Sequence, residues 1–356
     1  MELSYRPAVL RLAEPFTISR STSVEEEVLV VEVLHDGLTG HGEAQPQDHY
    51  GESIASATAF LDEAEEMLGD DPFALEAIGS RLAERTGEQA AKAAVDAALH
   101  DLCGKIAGLP VWRLLGLERA GPPTSWTIWL GDPDDMARRA ERVGTQFRRL
   151  KLKLGGRDGL DVERVRAVRA VTPLPLQVDV NEYWELEEAR TAIPALAELG
   201  VEYVEQPLAA GDPGGALLKR ESPLPIYVDE DCIALADVPS CAERAHGVNI
   251  KLAKSGGIRE AIRMAHAARA LGLGVMLGCM VESSLGIAAA CQIASLCDHV
   301  DLDGNLLLAE DPWRGVDFVD GVQLPSSEPG LGVHQISRAS RAPLAKEASA
   351  RREGNT

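Results

Sequence analysis

The sequence predicts an α/β protein: a closed (β/α)8 barrel of the TIM type, preceded by a small α+β unit. From about Thr124, short β-branched or apolar runs alternate with helix-like stretches, a pattern of parallel strands joined by crossover helices. Eight such runs can be counted, enough to close a barrel. Charged residues also recur at the C-terminal ends of five of them. These are Lys151 and Lys153, Asp179, Glu205, Asp229 and Lys251, in RLKLKL, LQVDV, VEYVEQP, IYVDED and VNIKL. In such a barrel the strand C-termini converge on one mouth, where active sites are built.

Residues 1 to about 45 alternate as strands do, with Val28 to Val33 and Gly40 to Ala44 joined through Asp36-Gly37. An Asp-Gly pair between such runs signals a hairpin, because both residues tolerate positive φ. Helices are expected over Ser53 to Leu68, with Ser53 as cap, and over Gly87 to Ala107, closed by Gly108-Leu109-Pro110. Strands first and helices afterwards suggest an α+β unit over residues 1–115. Barrel strands are expected near 124–130, 149–154, 176–180, 202–206, 225–229, 248–252, 274–279 and 299–303, within a barrel spanning 116–318. Helices are expected between them, for example Asp134 to Gly144, Leu160 to Val171, Glu185 to Leu199 and Ile258 to Ala270. After Asp311 the chain reads as irregular, and 319–335 is expected to return to the first unit. Residues 336–356 are small, polar and basic and read as a disordered tail.

At 356 residues, the chain is long for one core, and an apolar content of 45% is ample for a packed interior. A formal charge of -21 argues against nucleic acid or an anionic membrane as partner, since both attract basic patches. The six cysteines, Cys103, Cys232, Cys241, Cys279, Cys291 and Cys297, form no CxxC pair and sit in apolar segments. Reduced, mostly buried thiols are expected. The opening MELSYRPAVL has no basic segment ahead of a long apolar stretch, and no run approaches the ~18 residues of a membrane span. A cytoplasmic protein is expected.

Asp179, Glu205 and Asp229 would stand on adjacent strands and so could share one ion. Taken singly, an acid after a strand is most often a helix cap; three in succession, flanked by lysines, read as a metal site. Hard carboxylate oxygens without histidine or cysteine suit Mg²⁺ rather than Zn²⁺. In Lys151-Leu152-Lys153 both lysines point the same way, because strand side chains repeat every two residues. A like-charged neighbour and a nearby metal would push such a lysine towards the neutral form a base requires. Lys251 lies four strands away, on the opposite wall. Two bases facing each other across a substrate can invert a carbon next to a carboxylate.

These elements resemble the enolase superfamily, in its muconate-lactonizing subgroup. The match lies in KLK at 151–153, VDVNEYW at 178–184, VEQPL at 204–208, VDED at 228–231 and VNIKLAKSGGI at 248–258, with AAVDAALHDLCGKIAGLPVWRLLG at 93–116 similar to the domain junction. The resemblance covers residues 1 to about 335. It implies a (β/α)7β barrel with an N-terminal capping domain, Mg²⁺ held by Asp179, Glu205 and Asp229, Lys153 and Lys251 as the acid/base pair, and Lys151 steadying the enolate and the substrate carboxylate. A lysine or histidine base working with Mg²⁺ is general to that superfamily. A homo-oligomer is expected. Glu230 is expected to orient a lysine, with Asn181 in a similar supporting place.

Asp301 and Asp303, in VDLDG, share a face by the two-residue period, and an acid pair with no lysine beside it would welcome a cation such as an N-terminal ammonium. This DxD and the GCMVES at 278–283 resemble those of dipeptide epimerases, specifically L-Ala-D/L-Glu epimerases, which implies a role in peptidoglycan peptide metabolism. By the same resemblance Arg20 meets the distal carboxylate of glutamate, Thr127 bonds the substrate carboxylate, and Tyr50, Cys279 and Met280 line the pocket. A guanidinium fork suits a carboxylate. N-acylamino acid racemisation, o-succinylbenzoate synthesis and cycloisomerisation remain alternatives on the same scaffold, and so does a silent binding protein. Asp301 and Asp303 count against the first three, and the retained buried charges against the last.

Overall fold

The protein is described here by a computed structural model covering residues 1–336. Of the expected tail, residues 337–356 lie outside the described residues. Strands β1 (Glu2–Thr17), β2 (Thr22–His35) and β3 (Leu38–Ala44) form an antiparallel sheet in that order. Asp36 and Gly37 make the expected turn, with φ of 48° and 78°, and the register pairs His35 with Leu38. Along β2 the run from Val28 to Val31 is buried on both faces. Leu29, Val31 and Val33 pack with the helices of the N-terminal unit, whereas Val30 joins the largest barrel cluster. Apolar residues on consecutive positions thus attach the sheet to the barrel.

Helix α1 (Ile54–Leu68) starts at Ser53, whose hydroxyl accepts from Ser56 N at 3.1 Å while Ser56 Oγ accepts from Ser53 N at 2.9 Å. A short α2 (Leu75–Ala83) follows, which the sequence did not announce, then α3 (Gln89–Ala107), closed at Gly108 with φ 67°. Alanine dominates α3 because β3 packs directly on its backbone. A Cβ at Gly40 would lie 2.0 Å from Ala98 O, and one at Gly42 2.0 Å from Ala94 O. Gly42→Ala is therefore expected to destabilise the fold by about 1–3 kcal/mol, as overpacking of a tight contact does. The check is a denaturant midpoint; an unchanged value would remove this contact from the account.

After α4 (Val111–Leu114) come eight parallel strands: β4 (Trp126–Ile128), β5 (Leu150–Lys153), β6 (Leu176–Asp179), β7 (Val201–Glu205), β8 (Ile226–Val228), β9 (Gly247–Lys251), β10 (Gly274–Gly278) and β11 (His299–Asp301). They neighbour one another in sequence order, and the ring closes through a parallel bridge between Thr124 and Val300, with Ser125 N donating to Val300 O at 3.0 Å. Helices α5 (Pro133–Arg142), α6 (Asp161–Val171), α7 (Leu186–Glu198), α8 (Gly215–Glu221) and α9 (Val238–Arg244) form the crossovers. After β9 come α10 (Leu252–Ser255) and α11 (Ile258–Ala270), and after β10 comes α12 (Ser284–Cys291). Only a 3₁₀ turn, Gly304–Leu307, follows β11, so the barrel is of the (β/α)7β form. Most strands are one to four residues shorter than expected, losing residues at either end. The stretch expected to be irregular contains a hairpin, β13 (Val316–Val319) with β14 (Val322–Pro325), preceded by β12 (Trp313–Arg314), which pairs with β15 (His334–Gln335). Gly330 N donates to Leu109 O at 3.0 Å, and Leu331 N to Asp101 Oδ1 of α3 at 2.7 Å. All six cysteines are free; Cys279 is half-buried and the others buried. Among the described residues, no helix is long and apolar enough to cross a membrane.

Candidate active site

The two-residue period of β5 sends Lys151 and Lys153 to one side, into the barrel mouth. Their ammonium groups lie 3.1 and 2.6 Å from Asp179 Oδ2 at the end of β6. Lys151 also meets Glu205 Oε2 at 2.8 Å and Asp301 Oδ2 at 2.7 Å, so one buried ammonium serves three acids. Lys251, at the end of β9, stands 2.7 Å from Asp229 Oδ2. A fourth lysine, Lys254 on α10, was missed by the sequence reasoning. It is fully buried, pairs with Asp229, and donates to the carbonyls of Asp229, Cys232 and Asn249 at 2.6, 3.0 and 3.1 Å.

Burial by itself disfavours the charge on Lys151 and Lys251, but their acid partners outweigh it and hold both above the ordinary lysine range. With no cation beside them, the carboxylates facing Lys151 and Lys251 outweigh the neighbouring ammonium. Asp179 and Asp229 are held correspondingly low, burial opposing and the lysines prevailing. Glu205 goes the other way, pushed up to about 7 by burial and by the charge of Asp179.

Asp179, Glu205 and Asp229 are fully buried at the ends of β6, at the end of β7 and just past β8. Although lysines stand close, Glu205 Oε2 and Asp229 Oδ2 make no well-formed hydrogen bond, nor does the neighbouring Asn249 Oδ1. Asn249 Nδ2 orients Glu205 by donating to Oε1 at 2.8 Å, and Gln206 Oε1 accepts from Asp229 N at 2.8 Å. Enclosed oxygens with unused lone pairs, and no nitrogen or sulfur ligand among the three, fit a hard divalent cation of the Mg²⁺ kind.

Lys153 and Lys251 line one cavity of about 130 Å³ together with Arg20, Thr127, Asn181, Cys279, Met280, Asp301 and Asp303. Asp303 lies beyond the end of β11, at the start of the 3₁₀ turn, rather than on the strand. Its Oδ2 accepts from Thr127 N at 2.7 Å, and burial followed by the charge of Asp301 pushes its carboxyl up to about 7. The expectation of an acid pair with no lysine beside it is wrong for Asp301, which Lys151 engages from the strand on the far side of β4. The closed ring makes β11 and β5 near neighbours, something the linear order conceals.

Arg20, in the turn between β1 and β2, donates through Nη1 to Glu230 Oε1 at 3.0 Å. Glu230 was expected to orient a lysine; it orients this arginine instead, and Asn181 Nδ2 approaches the same oxygen at 3.5 Å. Burial and the Asp229 charge push Glu230 up to about 8. Asn181 N also donates to Asp179 Oδ1 at 3.0 Å. Tyr50 ends the 3₁₀ turn Asp48–Tyr50, close enough to Asp229 and Glu230 that burial and their charges raise its hydroxyl, but it does not line the cavity.

Comparison with known proteins agrees with this architecture. The chain is 38% identical over 340 residues to an L-Ala-D/L-Glu epimerase from Bacteroides thetaiotaomicron, covering 94% of this chain and 88% of the relative. It is also 38% identical to a hydrophobic dipeptide epimerase from Flavobacteria bacterium, with 94% and 98% covered. The crystal structure of a dipeptide epimerase from Enterococcus faecalis, complexed with Mg and L-Leu-L-Tyr, superposes with a TM-score of 0.89 at 31% identity, over 94% of this chain and 99% of that one. Residues 1–116 match the mandelate racemase/muconate lactonizing enzyme N-terminal domain, and residues 135–338 the enolase C-terminal domain-like family. The chain belongs to the mandelate racemase/muconate lactonizing enzyme family of enolase-like proteins.

Proposed function

We propose that the protein is a Mg²⁺-dependent dipeptide epimerase that inverts the α-carbon of the C-terminal residue, with L-Ala-D/L-Glu as its dipeptide. The observation that carries this reading is the convergence of Lys153 and Lys251, from strands four apart, on a cavity that also holds Asp303. Mg²⁺ held by Asp179, Glu205 and Asp229 would supply positive charge against the substrate carboxylate and so acidify the neighbouring C–H. Lys153 and Lys251 address opposite faces of the α-carbon. One takes the proton as a neutral amine, and the other, as an ammonium, returns a proton to the opposite face. Lys151, kept charged by three acids, is suited to hold the carboxylate as negative charge spreads into it. Asp303 would receive the dipeptide ammonium, and Arg20, whose bond to Glu230 uses Nη1, would meet a distal carboxylate through Nε and Nη2. The unpaired cysteines support a cytoplasmic setting, and the substrate suggests turnover of peptidoglycan peptides.

The test is a library of dipeptides incubated with the purified protein and Mg²⁺ in D₂O, scored by mass gain and by appearance of the epimer. Incorporation into no dipeptide would end the reading. Asp303 separates it from N-acylamino acid racemisation. Asp303→Asn is expected to lower kcat/KM for free dipeptides about 30-fold or more, since breaking a desolvated charge pair typically costs about 2–5 kcal/mol. N-acetyl-Ala-Glu should be a poor substrate of the unaltered enzyme; if it is turned over as fast as Ala-Glu, the ammonium plays no part.

A further inference from the structure

The two loops that the N-terminal unit extends over the mouth are met from the barrel side by one residue. Glu182, in the loop after β6, has its Oε2 3.0 Å from His49 Nε2 and 3.9 Å from Arg20 Nη1. Its other oxygen accepts from Ala210 N at 2.9 Å. The backbone places it there at a cost: Asn181 and Glu182 both sit in the left-handed region, with φ of 48° and 74°, and Glu182 N is tied to Gln206 O at 2.9 Å. Two consecutive non-glycine residues with positive φ are uncommon and persist where the surroundings over-determine them. Ser19 Oγ, beside Arg20, adds a bond to Asn181 O at 3.4 Å.

Ligand atoms of His49, Glu182 and Glu230 lie within 4.8 Å of one another, close enough to share one cation. The cation already there is Arg20. Its guanidinium is shared between two carboxylates, one bonded and buried (Glu230) and one at 3.9 Å and partly exposed (Glu182). His49 brings little positive charge, because burial and Arg20 lower its pKa. Just behind the cavity wall, the guanidinium of Arg20 is thus bonded to one carboxyl group and faces a second at 3.9 Å. A substrate carboxylate arriving on the free edge of Arg20 meets the field of Glu182 as well as that of the arginine.

We propose that Glu182 is a specificity-determining residue, which attenuates Arg20 and so sets how strongly the pocket prefers an acidic over an apolar C-terminal side chain. The inference rests on the dipeptide reading above. Glu182 does not touch the reacting carbon; it acts through Arg20. Charges about 6–8 Å apart near a protein surface still interact appreciably, whereas an apolar side chain feels nothing comparable.

The experiment is a comparison of L-Ala-L-Glu with L-Ala-L-Leu on the unaltered enzyme, Glu182→Gln and Glu182→Asp. Glutamine can keep the bond to Ala210 N while removing the charge. The ratio of kcat/KM for the glutamate over the leucine dipeptide is expected to rise about three- to tenfold in Glu182→Gln, carried by KM for the glutamate dipeptide. Glu182→Asp, which keeps the charge, should return the ratio towards the original. Loss of both activities in parallel, with the ratio unmoved, would mean that Glu182 only props up the loops and would overturn the proposal. Dissociation constants of the two dipeptides, measured calorimetrically, read the same ratio without turnover. Failure of the unaltered enzyme to epimerise any dipeptide would instead count against the proposed function, and an unchanged binding ratio against the role of Glu182.

Discussion

Replacing Lys153 or Lys251 with alanine is expected to lower epimerisation by about 10²- to 10⁴-fold, the range ascribed to a positioned acid or base. The informative readout is the asymmetry between the two variants. Each should still exchange the α-proton of one epimer with D₂O, because the remaining lysine addresses one face, and the two variants should favour opposite epimers. Exchange followed by NMR for each pure epimer checks this. Near-normal epimerisation by both variants, or loss of exchange with the same epimer in both, would remove the two-base arrangement. The Lys251 pairing gives a reason to expect more than loss of a base. Asp229 holds it as an ammonium in this structure, so whatever draws on the Asp229 carboxylate also controls how readily Lys251 gives up its proton.

The barrel and most of its mouth were legible because they depend on local periodicity. Lys151 and Lys153 share a side by the strand period, and both reach Asp179. The Asp36-Gly37 turn was read from its dipeptide, and the same signal at Asp320-Gly321 stood unread in the β13–β14 hairpin, with φ of 50° and 82°. What escaped depends on closure and on irregular backbone. Asp301 looked free of any lysine because Lys151 is 150 residues away in the chain, yet ring closure sets them 2.7 Å apart. Lys254 follows Lys251 by three positions, but it turns towards Asp229 only because β9 gives way at once to a helical turn. Glu230 and Arg20 come from different structural units, and no pattern within either strand links them.

Asp229→Asn is expected to abolish activity and also to destabilise the fold, and the second effect separates this residue from an ordinary ligand. Two buried ammonium groups, Lys251 and Lys254, lean on this one carboxylate. An amide cannot balance them, and breaking a buried pair from one side typically costs about 3–5 kcal/mol. Removing the metal from the unaltered protein is a different perturbation. Chelation leaves the Asp229 carboxylate in place to balance Lys251 and Lys254, so activity should vanish and return with added Mg²⁺ while the fold stays intact. Thermal denaturation of Asp229→Asn, set beside that of the chelated protein, measures the difference. If the chelated protein unfolds as readily as the variant, the lysine pairs to Asp229 do not by themselves hold the mouth together. If it retains full activity, Asp229 is a structural acid and the metal assignment falls.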